Sequence, residues 1–379
     1  MEINTDNKNT IAIHSGSLED EIHKGTISPV YPSTAYDYVD VDSYAYPRYF
    51  NTPNQKGVVK KICALENGED GILFSSGMAA ITTVLFGLLK KGDHAVFQND
   101  LYGGTHNAIT SQMKRFGIEF TLVDSMDYSE YETAIQKNTK LIYVETPSNP
   151  LLKVMDLKGI SELAKAHGLY TMIDNTFASP INQNPIDFGM DIVIHSGTKY
   201  LGGHSDLCCG VMISTKEITE TVWNSSINFG GSLNAQMAYL LERSLKTLGL
   251  RVKQQNANAQ EISEFLSEHD QVGGVFYPGL PNHHGHAIAK SQMMGFGGML
   301  SFEINSDPNS FVKKLDLIKS AMSLGGVEST ITCPAQTSHS KISAEERAKV
   351  GIKDGLLRLS VGIEDVQDLI ADLDRALNS

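Results

Sequence analysis

The sequence predicts an α/β protein. The expectation is a large domain built on a mostly parallel seven-stranded sheet, followed by a smaller α/β C-terminal domain. Three observations predict it. From about residue 55 to 230, short β-rich runs alternate with helical stretches, the pattern of βαβ units around a parallel sheet. The chain has 379 residues, more than one core of roughly 100–200 residues holds. After about residue 245 the alternation gives way to a mixed pattern with its own strands and a closing helix.

Taken in order, residues 1–50 lack a clear period, are rich in Tyr, Asp and Ser, and contain Pro29 and Pro32. They read as an extended N-terminal arm reaching a neighbouring subunit. Residues 51–244 carry seven β-rich runs: GILF (71–74), HAVF (94–97), EFTLVD (119–124), KLIYVE (140–145), LYTMID (169–174), DIVIHS (191–196) and GVMIS (210–214). Between LYTMID and the run before it, a helix is expected to start at the N-cap Asp156. It places Leu157, Ile160, Leu163 and Ala164 on one face and stops at Gly168. A long amphipathic segment over 235–268, with Met237, Leu240, Leu241, Leu245 and Leu248, leads into the second domain, 245–379. That domain has strands MLSFEI (299–304) and LLRLSVG (356–362) and a helix through Val366, Leu369, Ile370 and Leu373.

Composition narrows the function. Hydrophobic content is 41% and charged content 20%, as in ordinary globular proteins. The net charge of −13, from 31 basic and 44 acidic residues, argues against nucleic acid or an anionic membrane as partner. It leaves room for a local basic pocket. The polar start MEINTDNKNT does not read as a signal peptide, and no apolar run approaches the ~18 residues of a span. The four cysteines, Cys63, Cys208, Cys209 and Cys333, show no metal-ligand spacing and fit reduced thiols in the cytoplasm.

Ligands of open α/β sheets sit at the carboxyl ends of the strands, so the residues following each run matter most. After GILF comes SSGMAA, which opens a helix. Its free N–H groups and positive end suit a phosphate, and Gly77 lets the backbone approach closely. After KLIYVE comes TPSNP, with Asn149; LYTMID ends in Asp174; DIVIHS runs into Ser196, Gly197, Thr198 and Lys199. Each has a plainer reading alone: a serine-capped helix, an aspartate capping the next turn, a half-exposed lysine. Together they deliver polar groups to one edge. A partly desolvated lysine amine is a nucleophile toward carbonyls. With pyridoxal 5'-phosphate it needs a phosphate site, an acid for the ring nitrogen and a flat stacking face. Gly77, Met78, Ser196 and Thr198 supply the first, Asp174 the second and Tyr102, in NDLYGGT, the third. The competing motifs fail: no GxGxxG with Rossmann spacing and no GxxxxGK[ST] occur. The NHHGH run (282–286) lacks partner acids or cysteines and reads as a polar loop rather than a metal site.

From about Ile11 to the C-terminus the chain resembles the Cys/Met-metabolism PLP-dependent enzymes, a branch of the aspartate-aminotransferase-like fold type I. YPRYFN, SSGMAA, LYGGT, ETPSNP, IDNTF, SGTKYLGGHSD, SLGGVES and LRLSVGIED occur in that order. The resemblance implies that Lys199 is the Schiff-base lysine and proton shuttle. It implies that Asp174 pairs with the pyridinium nitrogen, that Tyr102 stacks on the ring, and that Asn149 lies near the cofactor's phenolic oxygen. Tyr46 and Arg48 would reach the phosphate of a neighbouring subunit, making a homotetramer of two dimers with shared sites. Arg358 would clamp the α-carboxylate of a small amino-acid substrate, and Ser329 would help place Lys199.

Glu328 is similar to the glutamate with which family members acting at a γ-carbon read the distal amino group of cystathionine. Gly104 stands where methionine γ-lyases carry a cysteine. Two departures point elsewhere: Ala45 replaces an acid, and NTPN (51–54) replaces NPT. The implied activity is a trans-sulfuration C–S lyase, splitting L-cystathionine at the γ-carbon into cysteine, 2-oxobutyrate and ammonia. The alternatives are joining cysteine to an activated homoserine, β-cleavage, methionine γ-elimination, transamination, or a non-catalytic relative.

Overall fold

Side-chain alternation along the strands builds a separate core on each face of one sheet. The computed structural model describes residues 5–337, 345 and 351–379. Seven strands form the large sheet: β1 (Asp70–Phe74), β2 (His94–Gln98), β3 (Glu119–Val123), β4 (Thr139–Glu145), β5 (Tyr170–Asp174), β6 (Ile192–Ser196) and β7 (Gly210–Ser214). Their order is β1-β7-β6-β5-β4-β2-β3. All neighbours are parallel except β7, which runs antiparallel to β1 and β6. The seven expected runs are these seven strands.

Successive strand residues point to opposite faces. Leu73, Val96, Ile142, Val144, Ile173, Val193, Val211 and Ile213 face one side. There they meet Val58, Ile62 and Leu65 of the helix Pro53–Glu66 and Leu157 and Ile160 of the helix Leu157–Ala166. Phe74, Ala95, Phe97, Tyr143, Met172, Ile192 and Ile194 face the other, against Ile81, Val84 and Leu85 of the helix Gly77–Leu88. A parallel sheet covered on both faces is the usual solution for such strands. The helix after Asp156 starts as expected: the Asp156 carboxylate accepts from the Gly159 N–H at 3.1 Å, and Gly168 follows the helix in a left-handed conformation, φ +65°.

The expected single segment over 235–268 is two helices, Ala235–Leu245 and Leu248–Glu268. The break has a visible role. The buried Arg251 guanidinium donates to the carbonyls of Ser244 and Tyr200 at 3.0 and 2.8 Å, tying the end of the first helix to the loop after Lys199.

Five further strands form the second sheet: β8 (Val272–Phe276), β9 (Met299–Ile304), β10 (Lys319–Ser320), β11 (Thr330–Thr332) and β12 (Leu356–Ser360), in the order β10-β11-β12-β9-β8. Its core, from Ala259 through Phe302 and Leu359 to Ala376, contains no residue before 259. The large core runs on to Leu248 and Val252 before this one begins; we propose the domain boundary at about residue 245, where one helix gives way to the next.

The first 50 residues are only partly an arm. Residues Lys8–His14 form a helix whose Ile11 and Ala12 are buried in the large core of the same chain. The fully buried Lys61 donates to the Ala12 and Ile13 carbonyls at 2.9 and 3.2 Å, satisfying the helix's last turn. Residues 19–46 are mostly exposed. Among the described residues, no helix is long and apolar enough to cross a membrane.

Candidate active site

The chain's direction through the large sheet reverses between β2 and β4: β3 lies beyond β2, while β5, β6 and β7 follow on the other side of β4. A ligand crevice forms at the carboxyl ends of strands at such a point. A cavity of about 500 Å³ lies there. Strand parity fills it. Tyr143, Met172 and Ile194 face the core beneath the helix Gly77–Leu88. Two residues on, Glu145, Asp174 and Ser196 therefore share that face, and all three line the cavity. Glu145 and Asp174 are direct register partners.

The helix Gly77–Leu88 points its N-terminus into the same cavity. Ser76 caps it, its hydroxyl accepting from the Ala79 N–H at 3.1 Å, and Gly77 and Met78 line the wall. A Cβ on Gly77 would lie 2.8 Å from Ser196 Cβ, so only glycine allows the helix start to sit on the end of β6. Thr198 accepts from the Cys209 N–H at 3.0 Å. This holds the turn after β6 against the start of β7.

Lys199 projects into the cavity, and its ammonium donates to Ser323 Oγ at 2.7 Å. Burial, then the nearby Arg358, lowers its pKa, which favours the neutral, nucleophilic amine. Asp174 is buried; it accepts from the Thr176 N–H at 3.0 Å, and no ion pair reaches it among the described residues. Burial raises its pKa, opposed by the bonds from Thr176 and by His195 and Lys199. Asn149 is buried, and its Oδ1 accepts from Arg358 Nη1 at 2.7 Å. Burial pulls Arg358 down to about 10, still cationic at neutral pH. Among the described residues its Nε has no partner and no carboxylate lies within ion-pair distance. A buried cation without a paired anion is costly, so an anionic ligand is the natural complement. Tyr102 is half exposed at the mouth.

Nine predicted residues thus meet in one cavity: Lys199, Asp174, Tyr102, Gly77, Met78, Ser196, Thr198, Asn149 and Arg358. Four do not. Tyr46 and Arg48 line a separate hollow, where the guanidinium stacks 5.8 Å from the Tyr46 ring and 5.2 Å from that of Tyr49. Glu328 is exposed and does not line the cavity. Ser329 is buried against Glu364: its hydroxyl donates at 2.9 Å and its N–H at 2.6 Å to that carboxylate. The serine that touches Lys199 is Ser323, at φ +82°, because the turn from Ser323 to Gly326 carries it over the lysine while Ser329 already lies beside β11.

Sequence reasoning missed Glu145. The carboxylate is buried, lines the cavity and accepts from the Tyr102 N–H at 2.8 Å. Burial and the neighbouring Asp174 raise its pKa well above the ordinary value. Its signal was present: like Asp174, it is an acid ending an apolar β run.

The residues fit pyridoxal phosphate: a glycine-lined helix N-terminus for the phosphate, a buried carboxylate without a cation for the ring nitrogen, and a partly desolvated lysine for the aldehyde. A larger cleft of about 760 Å³, lined by Tyr128, Lys153 and His283 among others, holds none of the predicted residues.

Comparison with known proteins agrees. The family described as "Cys/Met metabolism PLP-dependent enzyme" matches residues 9–378. A cystathionine gamma-lyase of Bacillus subtilis (strain 168) is 45% identical over 98% of this chain and 99% of its own. A cystathionine beta-lyase of Lactococcus lactis subsp. cremoris (strain MG1363) is also 45% identical, over 97% of this chain and 98% of its own. A crystal structure of cystathionine gamma-lyase from Lactobacillus plantarum, complexed with L-serine, superposes with a TM-score of 0.95 at 42% identity, covering 98% of this chain and 99% of that one.

Proposed function

The chain belongs to the Cys/Met metabolism PLP-dependent enzyme family and is a PLP-dependent carbon–sulfur lyase, and from that premise we propose that it cleaves L-cystathionine at the γ-carbon. The products are cysteine, 2-oxobutyrate and ammonia, with one water consumed. The observation that carries a lyase acting on an amino acid is the convergence of Lys199, Asp174 and the unpaired Arg358 in one cavity.

Pyridoxal phosphate, when bound, supplies the electron sink for negative charge that develops on the substrate carbons. The chain's residues do the rest. Gly77, Met78, Ser196 and Thr198 would hold the phosphate at the helix N-terminus. Asp174 would hold the proton on the ring nitrogen. Tyr102 would lie against the ring, and Asn149, which accepts from Arg358 Nη1, would lie near the cofactor's phenolic oxygen. Arg358 orients the substrate through its α-carboxylate. Lys199 Nζ, its basicity reduced by burial, takes the proton from Cα. For loss from the γ-carbon the same amine also removes a proton from Cβ; for loss from the β-carbon it need not. Ser323, rather than Ser329, keeps the amine in place between these transfers.

Tyr46 and Arg48 serve the site of a neighbouring subunit in this reading, because they lie outside the cavity of their own. Obligate dimers that pair into a homotetramer follow. Glu328 reads the distal amino group of cystathionine. Its exposure and Ala45 favour a second reading, β-cleavage to pyruvate, homocysteine and ammonia. Synthesis of cystathionine from an activated homoserine is the third.

Mass spectrometry of the keto acid released from L-cystathionine by PLP-loaded protein tests the proposal. The expected product is 2-oxobutyrate. Pyruvate in its place establishes β-cleavage. Efficient formation of cystathionine from O-succinyl- or O-acetylhomoserine and cysteine makes the protein a synthase.

A further inference from the structure

We propose that Thr332 is a second anchor for the substrate α-carboxylate, acting beside Arg358. The inference rests on the reading of Arg358 as the carboxylate site and extends it to a residue no motif singled out.

The argument begins with register. Thr332 on β11 is the direct antiparallel partner of Arg358 on β12, and Arg358 is in turn the partner of Ser301 on β9. Directly opposed residues project from the same face, with Cβ atoms about 4.5–5.5 Å apart. That face looks across to the large domain: Ser301 Oγ donates to the Pro150 carbonyl at 2.7 Å, and Thr332 and Arg358 line the cavity. The intervening Ile331 faces the other way, into the core of the small domain.

Thr332 is 7% exposed, and its hydroxyl oxygen is buried without a hydrogen-bond partner among the described residues. Buried hydroxyls are rarely left so. Arg358 is in the same condition on the same face. Nη1 is engaged by Asn149 at 2.7 Å, while Nε has no partner among the described residues. A strand is otherwise well served at such a position by valine, which has the same shape and no polar atom to bury. The unpaired donors on neighbouring strands, one neutral hydroxyl and one guanidinium, are complementary to a planar anion with two oxygens. An arginine alone orients a carboxylate in its own plane; a hydroxyl beside it selects which oxygen faces β11. This fixes the turn of Cα toward Lys199.

The test uses the PLP-loaded full-length protein and two ligands that differ only in the carboxylate, L-serine and ethanolamine. Binding is read from the cofactor's absorption during titration. Thr332→Val is expected to weaken L-serine by about tenfold or more while moving ethanolamine by about twofold or less. Thr332→Ser, which keeps the hydroxyl, is expected to restore L-serine binding. With L-cystathionine, KM should rise more than kcat falls, the mark of a contact present in the bound ground state. Equal weakening of both ligands, or unchanged L-serine binding in Thr332→Val, overturns the inference. If the valine variant does not fold, Thr332→Ala against Thr332→Ser gives the same comparison. Arg358→Gln separates the two levels. If it collapses the preference for L-serine over ethanolamine and Thr332→Val does not, only the role of Thr332 falls. If Arg358→Gln leaves the preference intact, the carboxylate site and the inference fall together.

Discussion

At the scale of residues, the site consists of charges that burial has made uncomfortable. Asp174 and Glu145 end neighbouring strands in register, and burial raises the pKa of each. Only Asp174 faces a ring nitrogen in our reading; Glu145 instead holds the Tyr102 N–H. Glutamine retains that acceptor and matches the neutral form burial favours. Glu145→Gln is therefore expected to keep thermal stability and turnover close to those of the parent. Glu145→Leu leaves the N–H unpaired and is expected to cost about 1–3 kcal/mol and to lower kcat as the Tyr102 ring loses its position. Thermal unfolding and steady-state kinetics on the two variants check this; equal damage from both would mean that the charge matters, not the hydrogen bond. Tyr102 has a second constraint, because a Cβ on Gly104 would come 2.6 Å from its ring.

At the scale of elements, the docked N-terminal helix depends on one cation. Lys61 is fully buried, its pKa lowered to about 8 by burial, against the attraction of Glu242 and with the repulsion of Lys246. Glu242 itself accepts from Ser28 and Ser17 at 2.8 and 3.1 Å, so the same group anchors the chain beyond the helix. The unfolded chain keeps the lysine proton up to its ordinary value of 10.5. Between about pH 8 and 10.5 the unfolded state binds more protons, so this group makes stability rise with pH there and contributes no slope below about 8. Lys61→Met is expected to remove that slope and, at pH 7, to cost about 1–3 kcal/mol by leaving the Ala12 and Ile13 carbonyls unpaired. Urea unfolding at pH 7 and pH 9.5 measures both; an unchanged slope would assign the pH dependence to other groups. The strands and the helix at Asp156 were readable from periodicity and caps. The break between Leu245 and Leu248 was not, because the guanidinium of Arg251 that holds the Ser244 carbonyl also holds that of Tyr200, 51 residues away in the chain.

At the scale of the whole molecule, two of the four expected residues that lie outside the cavity are the pair assigned to a neighbouring subunit. Tyr46 and Arg48 sit in a hollow formed by residues 34–49. If each dimer shares its sites, a subunit carrying Arg48→Ala and one carrying Lys199→Ala complement each other: one of the two sites in the hybrid has both residues intact. Unfolding and refolding an equal mixture of these inactive variants is expected to recover about a quarter of parental activity, as random pairing in closed dimers requires. No recovery, with hybrids demonstrated by mass, would place Arg48 in a structural role within its own chain.

The sequence by itself determined the periodic and local features: the strand runs, the caps, the large-domain sheet with its two apolar faces, and nine residues of the cavity. All but Arg358, which the family resemblance supplied, follow from spacing, because alternation sets the face of each side chain and the strand ends mark where polar groups emerge. The tertiary structure alone decided what lies opposite what. It put Thr332 across from Arg358, Glu145 beside Asp174, and Ser323 rather than Ser329 on Lys199. It also left Glu328 exposed and docked Lys8–His14 on its own chain. Register between strands and the path of a turn depend on packing between distant segments, and no local pattern encodes which buried donor will be left without a partner.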